Sequence, residues 1–255
     1  FTGSLLVGHS TTGTLSSAEY NTGVGINALD NLTTGDQNVA IGYAAGGLLQ
    51  SGSNNIAIGF GAGDALTSGG NNVAIGTNAL STEDTTGNNV AVGTSALKLQ
   101  DSGSNAHNVA VGYQAGEEVT TGTKLTIIGG QAGVNLTTGN QNIAIGYRAL
   151  HTEDEGKRTV AIGVEALKSQ DASTLNAHNV AVGYQTGEDV TTGRNNTLIG
   201  ALAGNSGTND LTTGDNNIII GYNAAASAVD VSNEVTIGDS NISTVRIPSD
   251  STLKI

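Results

Sequence analysis

The chain has 255 residues and a formal net charge of −13, with 38 glycines, 3% aromatic residues, 12% charged residues and no Cys, Met or Trp. So few large side chains would fill the thick core of a globular domain poorly, and the lack of cysteine excludes disulfides and thiolate ligands. The negative charge argues against nucleic-acid binding and adsorption to anionic membranes, and no apolar run is long enough to insert into a membrane.

A Val-Gly or Ile-Gly pair recurs along the chain, and ten of the thirteen steps between successive glycines are 17 residues. These reference glycines are Gly8, Gly25, Gly42, Gly59, Gly76, Gly93, Gly112, Gly129, Gly146, Gly163, Gly183, Gly200, Gly221 and Gly238. A fixed period is typical of solenoids. We therefore predict an all-β parallel β-roll, or β-solenoid, of about fourteen coils over residues 1–238, roughly 65 Å long. Residues 239–255 are predicted to be a C-terminal cap or the start of another module.

Each unit starts with a short predicted strand that ends at the reference glycine. Position −1 is Val or Ile in all fourteen units, position −3 is aliphatic in eleven, and position −2 is Ala in eight. β-Branched residues at a period of two predict a strand with one apolar face. We expect the Val and Ile face to fill the interior of its own coil, and the small Ala and Gly face to contact another chain.

The rest of each unit is predicted to hold a second strand and a turn. Ala occupies position +3 in eleven units, and segments such as Leu32–Gly35 (Leu-Thr-Thr-Gly) suit a tight turn. Asn occupies position −4 in ten units, which predicts a structural ladder of side-chain amides rather than a polar binding stripe.

Three steps exceed 17 residues, and their extra residues fall in predicted turns. These turns are 102–107, 172–178 and 205–210. Insertions in repeat arrays map to loops, so these turns are the most individual surface of the rod and a natural place for recognition.

The tandem Asn-Val-Ala-Ile-Gly-Tyr-x-Ala units, joined by Leu-Thr-Thr-Gly, resemble the repeats of bacteriophage tail fibres. The closing segment Val235–Ile247 is similar to the segment that precedes the self-cleaving intramolecular chaperone of the endosialidase type in such fibres. The repeat core also resembles the left-handed parallel β-roll of trimeric autotransporter adhesin heads. These resemblances imply a homotrimer of parallel β-rolls. The 17-residue period and the lack of heptads favour the phage fibre.

Two sets of side chains are candidate binding residues. Six aromatic residues share position +1, where they would stack sugar rings of a host polysaccharide or fill a groove between coils or chains: Tyr43, Phe60, Tyr113, Tyr147, Tyr184 and Tyr222. His107 and His178 occupy matching turns, and three copies in a trimer could ligate a metal. A lone His beside a turn is more often solvated, so we expect no metal and no cofactor.

Four acidic pairs raise the possibility of glycosidase carboxylates or calcium ligands: Glu83–Asp84, Glu117–Glu118, Glu153–Asp154 and Glu188–Asp189. They recur with the structural period, whereas a catalytic pair is normally one irregular site. We therefore expect no catalytic residues and no enzyme activity.

The sequence favours a structural fibre and adhesion protein, a segment of a phage tail fibre that extends toward the host cell surface and attaches to it. The expected partners are further copies of the chain, a host receptor or polysaccharide, and other fibre or tail proteins; the expected location is the extracellular virion. A trimeric adhesin head on a bacterial cell surface is the alternative. An ice-binding solenoid and a polysaccharide depolymerase are less favoured.

Overall fold

The computed structural model describes residues 3–8, 17–173 and 176–244, and these residues form an all-β solenoid of about thirteen turns. Three-residue strands pair in parallel, each with its neighbours in sequence, to make one fourteen-stranded sheet. The strands are β1 (Leu5–Val7), β2 (Thr22–Val24), β3 (Val39–Ile41), β4 (Ile56–Ile58), β5 (Val73–Ile75), β6 (Val90–Val92), β7 (Val109–Val111), β8 (Thr126–Ile128), β9 (Ile143–Ile145), β10 (Val160–Ile162), β11 (Val180–Val182), β12 (Thr197–Ile199), β13 (Ile218–Ile220) and β14 (Val235–Ile237). The predicted parallel solenoid and the first predicted strand of each unit are confirmed.

The expectation for the two strand faces is wrong. The central residue of each strand, at position −2, lies in the coil interior, and Ala40, Ala74 and Ala144 are completely buried. The β-branched residues on either side point outward, and Ile41 exposes 40% of its surface.

The narrow interior explains this orientation. A Cβ added to Gly46, at position +4, would lie only 3.8 Å from the Cβ of Ala40. In this coil the gap leaves room for little more than the methyl group of Ala40. Where position −2 holds the larger Leu198, the facing residues Gly187 and Gly204 provide the space.

The predicted second strand is also wrong. After Gly76, Asn78 and Leu80 adopt positive φ angles of 54° and 49°. Left-handed residues at alternate positions curl the backbone and cannot form an extended strand. The segment still bonds to both neighbouring coils, since the Asn78 N–H donates to the Phe60 carbonyl (2.9 Å) and the Leu80 N–H donates to the Ala96 carbonyl (3.0 Å).

The asparagine ladder is confirmed. The ten asparagines at position −4 are all at least nine-tenths buried. The Asn38 N–H donates to Oδ1 of Asn21 (2.9 Å), and the Asn38 Nδ2 donates to the Gly52 carbonyl (2.9 Å). The Asn55 N–H then donates to Oδ1 of Asn38 at 2.9 Å, so the pattern passes from coil to coil. These buried amides satisfy backbone groups of the coil and serve structure rather than ligand binding.

The Leu-Thr-Thr-Gly segment forms the predicted turn. Leu32 is buried, and the N–H groups of Thr34 and Gly35 donate to the Gln50 carbonyl at 3.0 and 3.2 Å. At the C-terminal end, residues 239–244 contain no strand, and residues 245–255 of the predicted cap lie outside the described residues. Within the part of the chain that is described, no helix has the length and apolar character needed to cross a lipid bilayer.

Candidate binding surface

The six aromatic residues at position +1 form an exposed row along the rod. Each follows its reference glycine directly, two residues beyond the end of a strand. Between 47% and 68% of their surface is exposed, so no coil interior takes up these rings. Parallel strands stack about 4.8 Å apart, which places successive position +1 residues at that spacing.

The rings of the row are not equivalent. Tyr43 and Phe60 lie on consecutive coils and stack on each other, with ring centroids 5.2 Å apart and planes inclined by 13°. Further along the rod the tyrosines lie on alternate coils, because Gly130 separates Tyr113 from Tyr147. The guanidinium carbon of Arg148 instead lies over the Tyr147 ring, 5.2 Å from the ring centroid.

A polar ladder runs beside these alternate-coil tyrosines, at position +2. The Gln131 Nε2 donates to Oε1 of Gln114 at 3.0 Å, and the Arg148 Nε donates to Oε1 of Gln131 at 3.0 Å. Two coils on, the Gln185 Nε2 donates to Oε2 of Glu165 at 2.9 Å. The sequence analysis missed this ladder, although polar residues at one repeat position next to an aromatic row were visible in the sequence.

Position +5 adds ion pairs to the same surface. The Lys168 ammonium lies 3.1 Å from Oε1 of Glu165 and 2.7 Å from Oε1 of Glu188. These contacts raise the pKa of Lys168, with the hydrogen bond to Glu188 the largest cause. The charge of Lys168 is therefore paired with those of Glu165 and Glu188.

The two candidate histidines are exposed and far apart within one chain. His107 and His178 each precede an asparagine of the buried ladder, Asn108 or Asn179, and adopt positive φ angles of 55° and 51°. Their strands, β7 and β11, are four coils apart, or about 19 Å. One chain therefore cannot bring both imidazoles to a single ion.

Two of the candidate carboxylates are in the coil interior, which the sequence analysis did not anticipate. Glu83 and Glu153 are completely buried. Each takes position +7, where other coils hold buried leucines such as Leu49 and Leu66. Comparison of that one position across the repeats would have indicated their burial.

Backbone and amide donors surround the Glu153 carboxylate. Its Oε1 accepts a hydrogen bond from the Gly156 N–H (2.7 Å), and its Oε2 accepts from the Gln170 Nε2 (2.8 Å) and the Ala172 N–H (3.1 Å). Glu83 likewise accepts from the N–H (3.1 Å) and hydroxyl of Thr86. Burial raises the pKa of both carboxyl groups, although these hydrogen bonds act in the opposite direction.

One cluster of three carboxylates is compact enough to share a cation. Carboxylate oxygens of Glu153, Asp154 and Asp171 lie within 4.8 Å of one another. The Glu153 oxygens, however, are taken up by the three donors that shape its turn. The geometry fits a structural carboxylate that anchors two turns.

The third insertion borders an open cleft of about 340 Å³ near the last strand. Ser206, Thr208 and Asn209 of the insertion line it, together with Asn223 and Asp239. The Ser206 Oγ is buried and has no hydrogen-bond partner among the described residues. The longer turn 205–210 therefore forms one wall of this cleft.

Comparisons of the chain with protein-family models, with curated proteins and with solved structures give no match.

Proposed function

We propose that this chain is a segment of a bacteriophage tail fibre, in which three copies assemble into a rod that extends from the extracellular virion and attaches to the host cell surface. In this proposal the chain acts by binding and not by catalysis. Its partners are two further copies of itself, other fibre or tail proteins, and a receptor or polysaccharide on the host.

The observation that carries the proposal is the outward β-branched face of the sheet. Position −1 forms a column of Val and Ile side chains along the rod, and position −3 forms a parallel column that is aliphatic except for Thr22, Thr126 and Thr197. Exposed members of these columns include Val7, Val24, Ile41, Ile56, Ile128, Ile199, Ile218, Ile220, Val235 and Ile237. Soluble monomers rarely expose contiguous apolar patches larger than a few hundred Å².

The dimensions of this face support a large interface. Thirteen steps of about 4.8 Å give a length of roughly 60 Å, and two columns with their flanks are about 10 Å wide. The apolar strip is therefore roughly 600 Å² per chain, near the 800 Å² that each partner contributes to a stable interface of standard size.

The periodicity of the face favours the same chain as the partner. A surface that covers both columns along the whole rod must itself repeat at the coil spacing. Another copy of this solenoid has that spacing by construction, and a closed symmetric assembly covers every copy equally. The resemblance to trimeric fibres and adhesin heads supports three copies. Because the Val and Ile side chains are the exposed ones, we propose their face as the interface, in place of the Ala face expected from the sequence.

Labelled protein applied to a panel of bacterial strains tests the attachment function. We expect saturable binding to some strains, with competition by unlabelled protein. Multivalent contact predicts that binding falls when the rods are dissociated into single chains. If the protein shows saturable binding to none of the strains, the attachment function is contradicted. If small-angle scattering shows a compact particle, the rod is contradicted.

A further inference from the structure

We propose that Tyr113, Tyr147 and Tyr184, with the polar ladder beside them, form a track that binds one extended, neutral, β-1,4-linked polysaccharide chain along the rod. This inference rests on the proposed attachment function and names the ligand class for it.

The spacing of the three tyrosines fits such a ligand. They lie on strand registers two coils apart, with Gly130 and Val164 at position +1 of the intervening coils. Two coil steps give about 10 Å between successive tyrosines. An extended β-1,4-linked polysaccharide turns over at each sugar and presents the same ring face at every second residue. A flat aromatic ring is a suitable platform for the apolar face of a sugar.

The ladder supplies hydrogen-bonding groups beside the rings. Gln131 uses one amide hydrogen on Gln114 and its carbonyl on Arg148, and Arg148 uses only its Nε in that contact. An Arg side chain has five N–H donors and a Gln side chain has two, so donors remain for sugar hydroxyls. The ladder residues are partly buried, whereas the three tyrosines belong to the exposed class, with 47–57% of their surface accessible. The rings are therefore the outermost contacts.

The charges favour a neutral polysaccharide over an acidic one. Lys168 is held between Glu165 and Glu188, and the chain carries a net charge of −13. A polyanion would therefore be repelled by the rod as a whole, and Lys168, held by two carboxylates, offsets little of that repulsion.

The Tyr43–Phe60 pair provides a matched control. These rings hold the same repeat position but lie on consecutive coils and stack on each other. Their spacing of about one coil does not match alternate sugars. We therefore place this pair outside the track.

Native gel electrophoresis of the full chain, in gels that contain a polysaccharide, tests the track. Hydroxyethyl cellulose is the neutral probe and carboxymethyl cellulose, with the same backbone, is the acidic probe. We expect hydroxyethyl cellulose to retard the protein more strongly. The combined variant Tyr113→Ala, Tyr147→Ala and Tyr184→Ala should weaken this binding roughly a hundredfold, whereas Tyr43→Ala with Phe60→Ala should leave it unchanged.

Light scattering on each variant distinguishes binding from assembly. Loss of retardation with an unchanged molecular mass supports the track. The proposal is overturned if the neutral probe does not retard the protein, if both variants lose binding equally, or if the three-tyrosine variant dissociates, which would assign the row to a contact between chains. Trimer mass and binding to cells are measured separately, so the fibre proposal can survive the failure of this one.

Discussion

Ala40 and Ile41 are adjacent on β3, yet Ala40 is completely buried and Ile41 exposes 40% of its surface. The same relationship recurs along the rod, because alternate residues of a strand point to opposite faces. On its inner side the β3 strand therefore presents a methyl group, and its larger β-branched side chains form the outer face.

Replacement of Ile128 by Lys tests the outer face as the interface between chains. Ile128 is exposed in the single chain, so Ile128→Lys should leave the coil folded. In the trimer it would place unpaired ammonium groups against an apolar surface, and we expect dissociation into monomers. Ser68→Lys, in an exposed turn, is the control and should remain trimeric. Light scattering gives the masses, and an Ile128→Lys trimer would argue against this face.

Replacement of Ala74 by Leu tests the coil interior. Ala74 is completely buried, so the added carbons must displace packed neighbours. We expect Ala74→Leu to lower the free energy of unfolding by roughly 1–3 kcal/mol, and Ile75→Leu, on the outer face, to cost less. Chemical denaturation followed by circular dichroism measures both. Equal stability of the two variants would contradict the assignment of faces.

Replacement of Gly76 by Ala tests the close stacking of the reference glycines. Gly76 has a φ of +132°, and an added Cβ would lie 2.5 Å from both the carbonyl carbon and the carbonyl oxygen of Gly93. Backbone atoms of the next coil cannot move aside easily, so Gly76→Ala should cost more than about 3 kcal/mol.

Gly103 provides the comparison, because its φ is also positive at +64° but no atom lies within 4 Å of an added Cβ. Gly103→Ala should therefore cost only about 1–2 kcal/mol, for the left-handed backbone alone. Thermal unfolding distinguishes the two substitutions. A similar loss from both would show that backbone conformation, and not the coil contact, requires glycine at the reference position.

The buried carboxyl groups of Glu83 and Glu153 predict a pH-dependent stability. Burial raises the pKa of each above the ordinary value of 4.5, so the folded chain binds more protons than the unfolded chain in this range. The contribution of these groups to the free energy of unfolding is therefore greatest below pH 4.5 and falls as the pH rises through the folded-state pKa.

A double variant isolates this contribution from that of the other carboxylates. As the pH rises from acidic to neutral, the free energy of unfolding should fall less for the double variant Glu83→Gln, Glu153→Gln than for the native chain. The exposed Glu118→Gln is the control and should follow the native profile. Urea unfolding at several pH values gives the comparison, and parallel profiles for all three proteins would contradict the effect.

The repeat made the architecture predictable, since one recurring Val-Gly or Ile-Gly pair located every strand. The asparagine ladder was predictable for the same reason, because Asn38 and Asn55 repeat at the coil spacing. Which face of each strand points into the coil was not predictable from the sequence. Alternation shows that Ala40 and Ile41 lie on opposite faces, but the interior width depends on how closely the return segment at Gly46 approaches.

The candidate surface was predictable in part. The position of Tyr113, Tyr147 and Tyr184 in the repeat located the exposed row, but their relation to the Gln131 and Arg148 ladder required side-chain geometry. The failure to predict the curled segment at Leu80 has a different cause. Leucine rarely adopts a positive φ, and the tertiary packing of its side chain in the core overrides that local preference.

The molecular mass of the native chain in solution, measured by light scattering over a range of concentrations, decides whether three copies of the chain assemble. We expect the mass of three chains, because the outer columns of Val and Ile side chains require a partner of the same period. A mass of one chain, 25.4 kDa, would contradict the trimeric fibre and would mean that the apolar face is free on the single rod.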